Sequence, residues 1–233
     1  IMDVFATTHR VFQLFVAEGS VAKEFVNEEE RGRLVLQSIG AGEGGVIESS
    51  FDGPGRADGW HYFKDVLDYR ALARKNGEKT ILFLTAKECP SGRFPVVISN
   101  GWGGVIFHEA CGHSLEATSV QPGMSEFSGK LGQTIAAPCV TAIDDGTMPN
   151  EWGSENIDDE GTPTTRLVLI ERGVLKSYMV DRLNGLKMGM APTGNGRRES
   201  YAYAPTSRMR NTYIAPGEDD EEEMLRTMGD GLY

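Results

Sequence analysis

Residues 166–180 read RLVLIERGVLKSYMV, and this stretch carries the clearest structural signal in the chain. Arg166–Glu171 and Val174–Val180 are short runs rich in leucine, valine and isoleucine, and such runs bounded by turn residues are typical of β-strands. Residues 171–173, Glu-Arg-Gly, lie between the two runs and predict a tight β-hairpin. Because the two strands of a hairpin run antiparallel, this stretch predicts an antiparallel sheet.

Further strands and helices are predicted on both sides of this hairpin. Apolar residues recur at three- and four-residue spacings over residues 58–77, and the proline-free segment Val105–Ala117 predicts a second helix with Gly112 as its weak point. The acidic run 218–223 predicts the first turns of another helix, where carboxylates favour the helix dipole. The other predicted strands are Val11–Val16, Arg33–Ile39, Val46–Phe51, Val96–Ser99 and Cys139–Ile143.

From residue 134 onward the apolar period is mostly two, which distinguishes this part from the start of the chain. We therefore expect a smaller α/β region over residues 1–92. A largely antiparallel, β-rich domain with a short motif-bearing helix should follow over residues 93–233. Both ends of the chain, at Ile1 and Tyr233, lie in ordinary-looking sequence and predict that the chain is a piece of a longer protein.

Charge and composition argue against several classes of function. The chain has 23 basic and 34 acidic residues, a net charge of −11, and such a surface repels nucleic-acid phosphates. The longest apolar runs, such as Ile81–Leu84, are far shorter than the ~20 residues of a membrane span. The wide spacing of Cys89, Cys111 and Cys139 favours a reducing cytoplasm over a secreted disulfide framework. We therefore expect a cytoplasmic protein that binds neither nucleic acid nor membrane.

Two of the four histidines lie in one short segment, His108-Glu109-Ala110-Cys111-Gly112-His113. Zinc binds neutral imidazoles, and a glutamate beside such a ligand is suited to take a proton from the water that attacks a carbonyl. Histidines five residues apart lie ~140° apart on a regular α-helix, however. A π-bulge would bring both to one face, and Gly112 would ease that distortion. The residues alone leave two interpretations open, a zinc-binding pair and two hydrogen-bonded helix histidines.

Three other features each have two interpretations. Residues 158–161, Asp-Asp-Glu-Gly, form either a carboxylate metal site or, as we prefer, a polar turn. Residues 194–198, Gly-Asn-Gly-Arg-Arg, either hold the carboxylates of a peptide or form a glycine turn with solvated arginines. Trp102 and Trp152 are interpreted as core or loop anchors rather than substrate contacts.

The segment 101–117 resembles the TldD/PmbA family, specifically its TldD-like members that carry His-Glu-x-x-x-His. The likeness continues in order to Tyr233 and covers roughly residues 95–233; its blocks are 144–147, 152–154, 158–163, 192–198, 208–213 and 231–233. The resemblance implies an α+β fold and a cytoplasmic metallopeptidase that cleaves unfolded or extended peptides, including precursors during maturation. It also implies a dimer, either a homodimer or a heterodimer with a PmbA-like subunit.

The same resemblance implies that His108 and His113 bind zinc and that Glu109 is catalytic. The family's third zinc ligand is a cysteine near its C-terminal end, and no residue of this chain matches it. The resemblance therefore implies a C-terminally truncated fragment with an incomplete zinc site, whose third ligand lies beyond Tyr233. The alternative is a non-catalytic interaction or regulatory protein, consistent with the family's other name, modulator of DNA gyrase.

Overall fold

The computed structural model describes residues 3–15 and 25–233, and the side chains of residues 30–233 except that of Trp102. Contacts divide these residues into two compact units. The first unit holds residues 3–12, 28–91 and 150–152, and the second holds 13–15, 25–27, 92–149 and 153–233. The domains expected at residues 1–92 and 93–233 stay a prediction, because contacts alone do not show which part folds by itself.

The first unit contains most of a four-stranded sheet and one long helix. Strands β1 (Asp3–Phe15), β2 (Phe25–Ala41) and β3 (Ile47–Asp52) lie side by side in that order, and β4 (Gly55–Arg56) also pairs with β2. The pairs β2–β3 and β2–β4 are antiparallel. Helix α1 (Tyr69–Thr85) packs against β3.

Helix α1 has 17 residues and lies later in the chain than the helix predicted at residues 58–77. Residues 62–66 form a separate π-helical turn that ends at Leu67, whose backbone is extended. Asp68 then caps α1, because its carboxylate accepts a hydrogen bond from the N–H of Ala71 at 2.9 Å. The prediction missed the end of α1 because its buried residues are the polar Asn76 and Thr80, whereas Ile81 is exposed.

The first-unit strands follow the sequence pattern closely. The predicted strand Arg33–Ile39 lies within β2, and the predicted strand Val46–Phe51 differs from β3 by one residue at each end. Residues 11–15 of the first predicted strand lie in β1, and Val16 lies outside the described residues.

The described part of the second unit contains a four-stranded antiparallel sheet, a two-stranded sheet and short helices. Its strands are β5 (Ala142–Asp145), β6 (Arg166–Glu171), β7 (Val174–Leu175), β8 (Gly196–Arg197), β9 (Thr206–Ser207) and β10 (Asn211–Ile214). Its α-helices are α2 (Gly104–Phe107), α3 (Ala117–Val120), α4 (Arg182–Met188) and α5 (Glu221–Thr227). The larger sheet has the order β10-β5-β6-β7, so β10 lies at one edge, and the smaller sheet pairs β8 with β9. The α+β class predicted for the chain is confirmed.

The predicted hairpin is confirmed at its turn. Arg172 and Gly173 connect β6 to β7, with Glu171 opposite Val174. Both turn residues have positive φ, 46° and 80° respectively, which is the backbone of a two-residue hairpin turn that follows the natural twist of the strands. The acidic run also begins a helix as predicted, since Asp220 caps α5 by accepting a hydrogen bond from the N–H of Glu223 at 3.0 Å.

Three predicted strands of the second unit are wrong in extent. The segment Val96–Ser99 makes only an isolated bridge, between Val96 and Leu232. Strand β5 begins at Ala142 rather than at Cys139. Strand β7 ends at Leu175 rather than at Val180, because the chain leaves the sheet there and Met179 pairs instead with Glu116.

The core of the second unit lies between the larger sheet and the segment that carries the motif. Leu169 and Leu175 from the sheet are completely buried, as are Leu115 at the end of the motif segment and Met179. Full burial of a leucine or methionine side chain contributes roughly 1.5–3 kcal/mol. This packing fixes the motif segment against the sheet. None of the described helices is long and apolar enough to span a membrane.

Candidate metal centre

The motif lies on one helical segment whose backbone changes type along its length. Residues 104–107 are α-helical, His108–Gly112 form a π-helical turn, and His113–Leu115 form a 3₁₀ turn. The π turn is closed by the N–H of His113, which donates to the carbonyl of His108 five residues earlier. The segment ends at Glu116, whose backbone is extended at φ −75° and ψ 131°.

The π turn brings the two histidines together. The ring centroids of His108 and His113 are 4.7 Å apart and the ring planes lie at 89° to each other. The ligand atoms of His108, Glu109 and His113 all lie within 4.8 Å of one another. Both histidines are half-buried and Glu109 is exposed. Two imidazoles and a carboxylate this close suit a metal ion, so the geometry favours the metal-binding interpretation of the pair.

Gly112 supplies the space that this arrangement needs. Its φ of −56° is ordinary for a helix, so the glycine is not required by its backbone angles. A Cβ at this position would lie under 3.0 Å from Sδ of Met209 and 3.1 Å from its Cε. Both residues are buried, and Met209 is 3% exposed. The motif segment therefore approaches the chain before β10 more closely than any larger residue would allow.

Glu116 and Arg208 also lie at this site, and the sequence analysis did not identify them. Glu116 is 3% exposed, and its Oε2 lies 3.3 Å from Nδ1 of His113. Nη1 of Arg208 donates to the same oxygen at 3.4 Å. The spacing of three residues between His113 and Glu116 is the signal that could have found the first contact, since such residues are neighbours on a helix. No local signal identifies Arg208, which is 92 residues away from Glu116.

The charge state of His108 suits a metal ligand. Partial burial lowers the pKa of this imidazole, and the nearby His113 lowers it further, against the opposing effect of Glu109. A lowered pKa favours the neutral imidazole, which is the form that binds metal.

An apolar cavity of about 610 Å³ lies between the motif segment and β10. The motif segment contributes Ile106, Phe107, Ala110 and Cys111 to its lining, and β10 contributes residues 212–214. Burial raises the pKa of the Cys111 thiol, so this cysteine is a neutral part of the wall. The three cysteines of the chain are free thiols. The cavity is thus a concave apolar surface beside the histidine pair and an edge strand.

The segment 158–161 is a polar turn, as preferred from its sequence. The buried carboxylate of Asp158 accepts hydrogen bonds from the N–H groups of Glu160, Thr162 and Gly196 at 2.8–2.9 Å. Burial raises the pKa of Asp158 in spite of these hydrogen bonds. Among the described residues, the group suited to hold a metal is that of His108, Glu109 and His113.

The two arginines of residues 194–198 have different surroundings, and the exposed one fits the interpretation of solvated arginines. Arg198 is tied to Asp159, since its N–H donates to Oδ2 at 2.7 Å and its Nη2 donates to the carbonyl at 3.0 Å. Arg197 is exposed, and its Nη1 donates to the carbonyl of Met209 at 3.1 Å. Trp152 is 45% exposed and lies against Gly55, where a Cβ would meet its ring at 2.8 Å. It therefore serves as a loop anchor, and the side chain of Trp102 lies outside the described part.

Comparisons with known proteins identify the family of the chain. Residues 91–233 match the family profile of the PmbA/TldA metallopeptidase C-terminal domain. The chain is 37% identical over 241 residues to the metalloprotease TldD homolog of Haemophilus influenzae, covering 98% of this chain and 50% of that protein. It is 48% identical over 153 residues to the metalloprotease TldD homolog of Buchnera aphidicola subsp. Acyrthosiphon pisum, covering 66% of this chain and 32% of that protein.

A solved structure shows the same fold. A Thermotoga maritima protein described as a proposed modulator of a DNA gyrase superimposes with a TM-score of 0.76 at 26% sequence identity, covering 91% of this chain and 47% of that chain. The chain thus spans half or less of the length of the relatives it matches. On the profile, the sequence identities and the fold, the chain belongs to the TldD/PmbA metallopeptidase family.

Proposed function

We propose that the protein to which this chain belongs is a zinc-dependent peptidase of unfolded or extended peptides, including precursors that are cut during maturation. The observation that carries the proposal is the group of His108, Glu109 and His113, whose ligand atoms lie within 4.8 Å of one another. A relative from Saccharolobus solfataricus is named a zinc metalloprotease, which supports the choice of metal.

Each motif residue has a role that follows from its position. His108 and His113 present imidazole nitrogens from one face of the π turn and would hold the zinc ion. A bound zinc ion supplies Lewis acidity, which polarises a peptide carbonyl and lowers the pKa of water. Glu109 is exposed beside His108, so its carboxylate can take the proton of the attacking water and pass it to the leaving amine.

A third protein ligand is proposed to come from outside this chain. Catalytic zinc sites hold the ion with three protein ligands. None of the three cysteines belongs to the described group of metal-binding side chains. Cys111, although it lies inside the motif, lines the apolar cavity. A cysteine beyond Tyr233, as the family resemblance implies, would complete the site.

The substrate class is proposed from the surroundings of the pair. Strand β10 lies at the edge of the larger sheet and contacts the π turn. An edge strand binds an extended peptide through backbone hydrogen bonds, which gives affinity with little sequence preference. The apolar cavity between β10 and the motif segment would accept a side chain of that peptide. A folded domain cannot present such a strand without local unfolding.

The proposal also covers the location and assembly of the protein. The three free thiols suit a reducing cytoplasm. A homodimer, or a heterodimer with a PmbA-like subunit, would enclose the histidine pair and admit only extended chains.

The test uses the full-length protein, its Glu109→Gln variant and its His108→Ala variant. Zinc content is measured by elemental analysis, and cleavage is measured on one sequence presented as a free peptide and inside a stable domain. We expect Glu109→Gln to keep zinc and to slow peptide cleavage by ~10²–10⁴-fold, because an amide cannot accept the proton. We expect His108→Ala to lose zinc as well, and the free peptide to be cleaved far faster than the folded form.

Three outcomes would contradict the proposal. Cleavage by Glu109→Gln at the wild-type rate would rule out its role as the base, and equal cleavage of the free and folded forms would rule out the substrate class. A zinc-loaded wild-type protein that cleaves no peptide would favour the non-catalytic, regulatory alternative.

A further inference from the structure

Glu116 is held in place by the core rather than by the motif. The N–H of Ala117 donates to the carbonyl of Met179 at 2.8 Å, and the N–H of Met179 donates to the carbonyl of Leu115 at 3.0 Å. These two bonds form a bridge on both sides of Glu116, and Leu115 and Met179 are completely buried. The position of the Glu116 backbone therefore does not depend on its own side chain.

The local backbone structure does not explain the charge of Glu116. It precedes α3 but makes no capping hydrogen bond to that helix. Its Oε1 is buried and has no hydrogen-bond partner among the described residues. Burying a carboxylate costs solvation free energy, and a carboxylate with one unpartnered oxygen recovers little of it. An apolar residue would pack here at lower cost, so the carboxylate must be explained by its contacts.

Both contacts of the Glu116 carboxylate are made by its Oε2 atom. Oε2 of Glu116 lies 3.3 Å from Nδ1 of His113 and 3.4 Å from Nη1 of Arg208. Arg208 balances the negative charge, and the imidazole is the group that the carboxylate can orient. When Nδ1 of an imidazole donates to a carboxylate, the ring is fixed in one orientation and Nε2 carries the free lone pair.

We infer that Glu116 is a positioning residue that holds His113 in the tautomer and orientation in which Nε2 faces the metal. The inference rests on the proposed zinc function of His113. Glu116 itself does not bind the metal, since the described metal-binding group contains Glu109 and not Glu116. Such a carboxylate behind a histidine ligand typically accounts for 10–100-fold in metal affinity, so its removal should have a measurable effect on binding.

The test measures zinc affinity of the full-length protein by competition with a chelator, which needs no catalysis. The variants are Glu116→Ala, Glu116→Gln and, as a matched control, Glu126→Gln at an exposed position. We expect Glu116→Ala to weaken zinc binding by about 10–100-fold. Glu116→Gln should weaken it less, because its amide oxygen can still accept from Nδ1, and Glu126→Gln should bind like wild type.

Two further measurements separate positioning from other roles. The absorption spectrum of the cobalt-substituted protein should be the same in Glu116→Gln and wild type, because the ligands are unchanged. In protein with ¹⁵N-labelled histidine rings, His113 should carry its proton on Nδ1 in the metal-free wild type and lose this preference in Glu116→Ala. A purely structural role would lower the unfolding temperature without changing either the tautomer or the zinc affinity of the folded protein.

The outcomes distinguish this inference from the proposed function. If wild type binds zinc and folded Glu116→Ala binds it equally well, the positioning role is wrong while the zinc function stands. If Glu116→Ala does not fold, Glu116→Gln decides, and weakened zinc binding together with an altered cobalt spectrum would make Glu116 a ligand instead. If wild type binds no zinc, both proposals fail.

Discussion

Replacing Gly112 by alanine should destabilise the second unit and disturb the histidine pair. The added Cβ would lie under 3.0 Å from Sδ of Met209 and 3.1 Å from its Cε, whereas carbon atoms in contact are ~3.5–4.0 Å apart. Met209 is 3% exposed and packed in the core, so it has little room to move away.

The expected magnitude follows from two opposing effects. Overpacking a core by a methyl group typically costs 1–3 kcal/mol. Alanine in place of glycine inside a helix gains up to about 1 kcal/mol. We therefore expect Gly112→Ala to lower the free energy of unfolding by about 1–2 kcal/mol, a fall in melting temperature of roughly 2–8 °C for a chain of this size. Zinc affinity should fall as well, since the π turn that joins His108 to His113 must shift.

The matched control is Gly104→Ala, which makes the same change in the same helical segment. A Cβ at Gly104 has no neighbour within 4 Å, so this variant should be as stable as wild type or slightly more stable. Unfolding in urea, followed by circular dichroism, gives the free energies. The clash itself is tested by repeating Gly112→Ala in a Met209→Ala background, where it should cost less. Equal stability of the two glycine variants, or an equal cost in both backgrounds, would refute the reasoning.

Two further predictions concern the stability of the second unit. Gly173→Ala should cost about 1–3 kcal/mol in urea unfolding, because φ is +80° and a Cβ would lie 2.9 Å from the carbonyl oxygen of Ala137. Gly189→Ala, at φ +66° with open space, should cost less, and the reverse order would contradict the steric argument. Burial works to raise the pKa of Asp181, but hydrogen bonds, the largest from Ser207, outweigh it and lower the pKa below 3.8. Its charge therefore stabilises the fold above pH 3.8, and this contribution is lost as the pH falls through the lowered value. In acid unfolding, Asp181→Asn should show a smaller loss of stability than wild type, and an unchanged acid dependence would contradict this role.

The sequence predicted those elements whose geometry is set locally. The turn at Arg172 and Gly173 is an example, because a short turn that contains glycine between two apolar runs favours a hairpin. The π turn was expected only under the metal-binding interpretation, because histidines five residues apart can share one face only if the helix widens between them.

The errors arose where tertiary contacts override the local pattern. Helix α1 buries Asn76, whose Nδ2 donates to Oδ2 of Asp52 at 2.9 Å, and leaves Ile81 exposed, so apolar periodicity could not locate its end. The residues 96–99 and 176–180 have the composition of β-strands. Their partners form isolated bridges instead of a ladder, and no local signal distinguishes the two.

For the candidate site, the sequence identified the motif residues but not the residues that the fold brings to them from elsewhere in the chain. His108, Glu109 and His113 lie within six consecutive residues, so the helical spacing of the sequence was enough to group them. Arg208 reaches Glu116 only because the fold places residues 92 positions apart side by side.

The motif segment is fixed at two points that do not involve the side chains proposed to bind metal. At Gly112 the backbone lies against the side chain of Met209, and at Glu116 it is bridged to Met179. Both methionines belong to the buried core, so the energy that holds the wide turn in place comes from packing around it. His108 and His113 are therefore expected to have the same arrangement in the metal-free protein. Zinc should therefore stabilise the folded protein by mass action, with a gain that grows with the logarithm of free zinc, rather than by folding the segment. The far-ultraviolet circular dichroism of the full-length protein should then be the same with and without zinc, and a large gain in helix signal on adding zinc would show that the pair is not preformed.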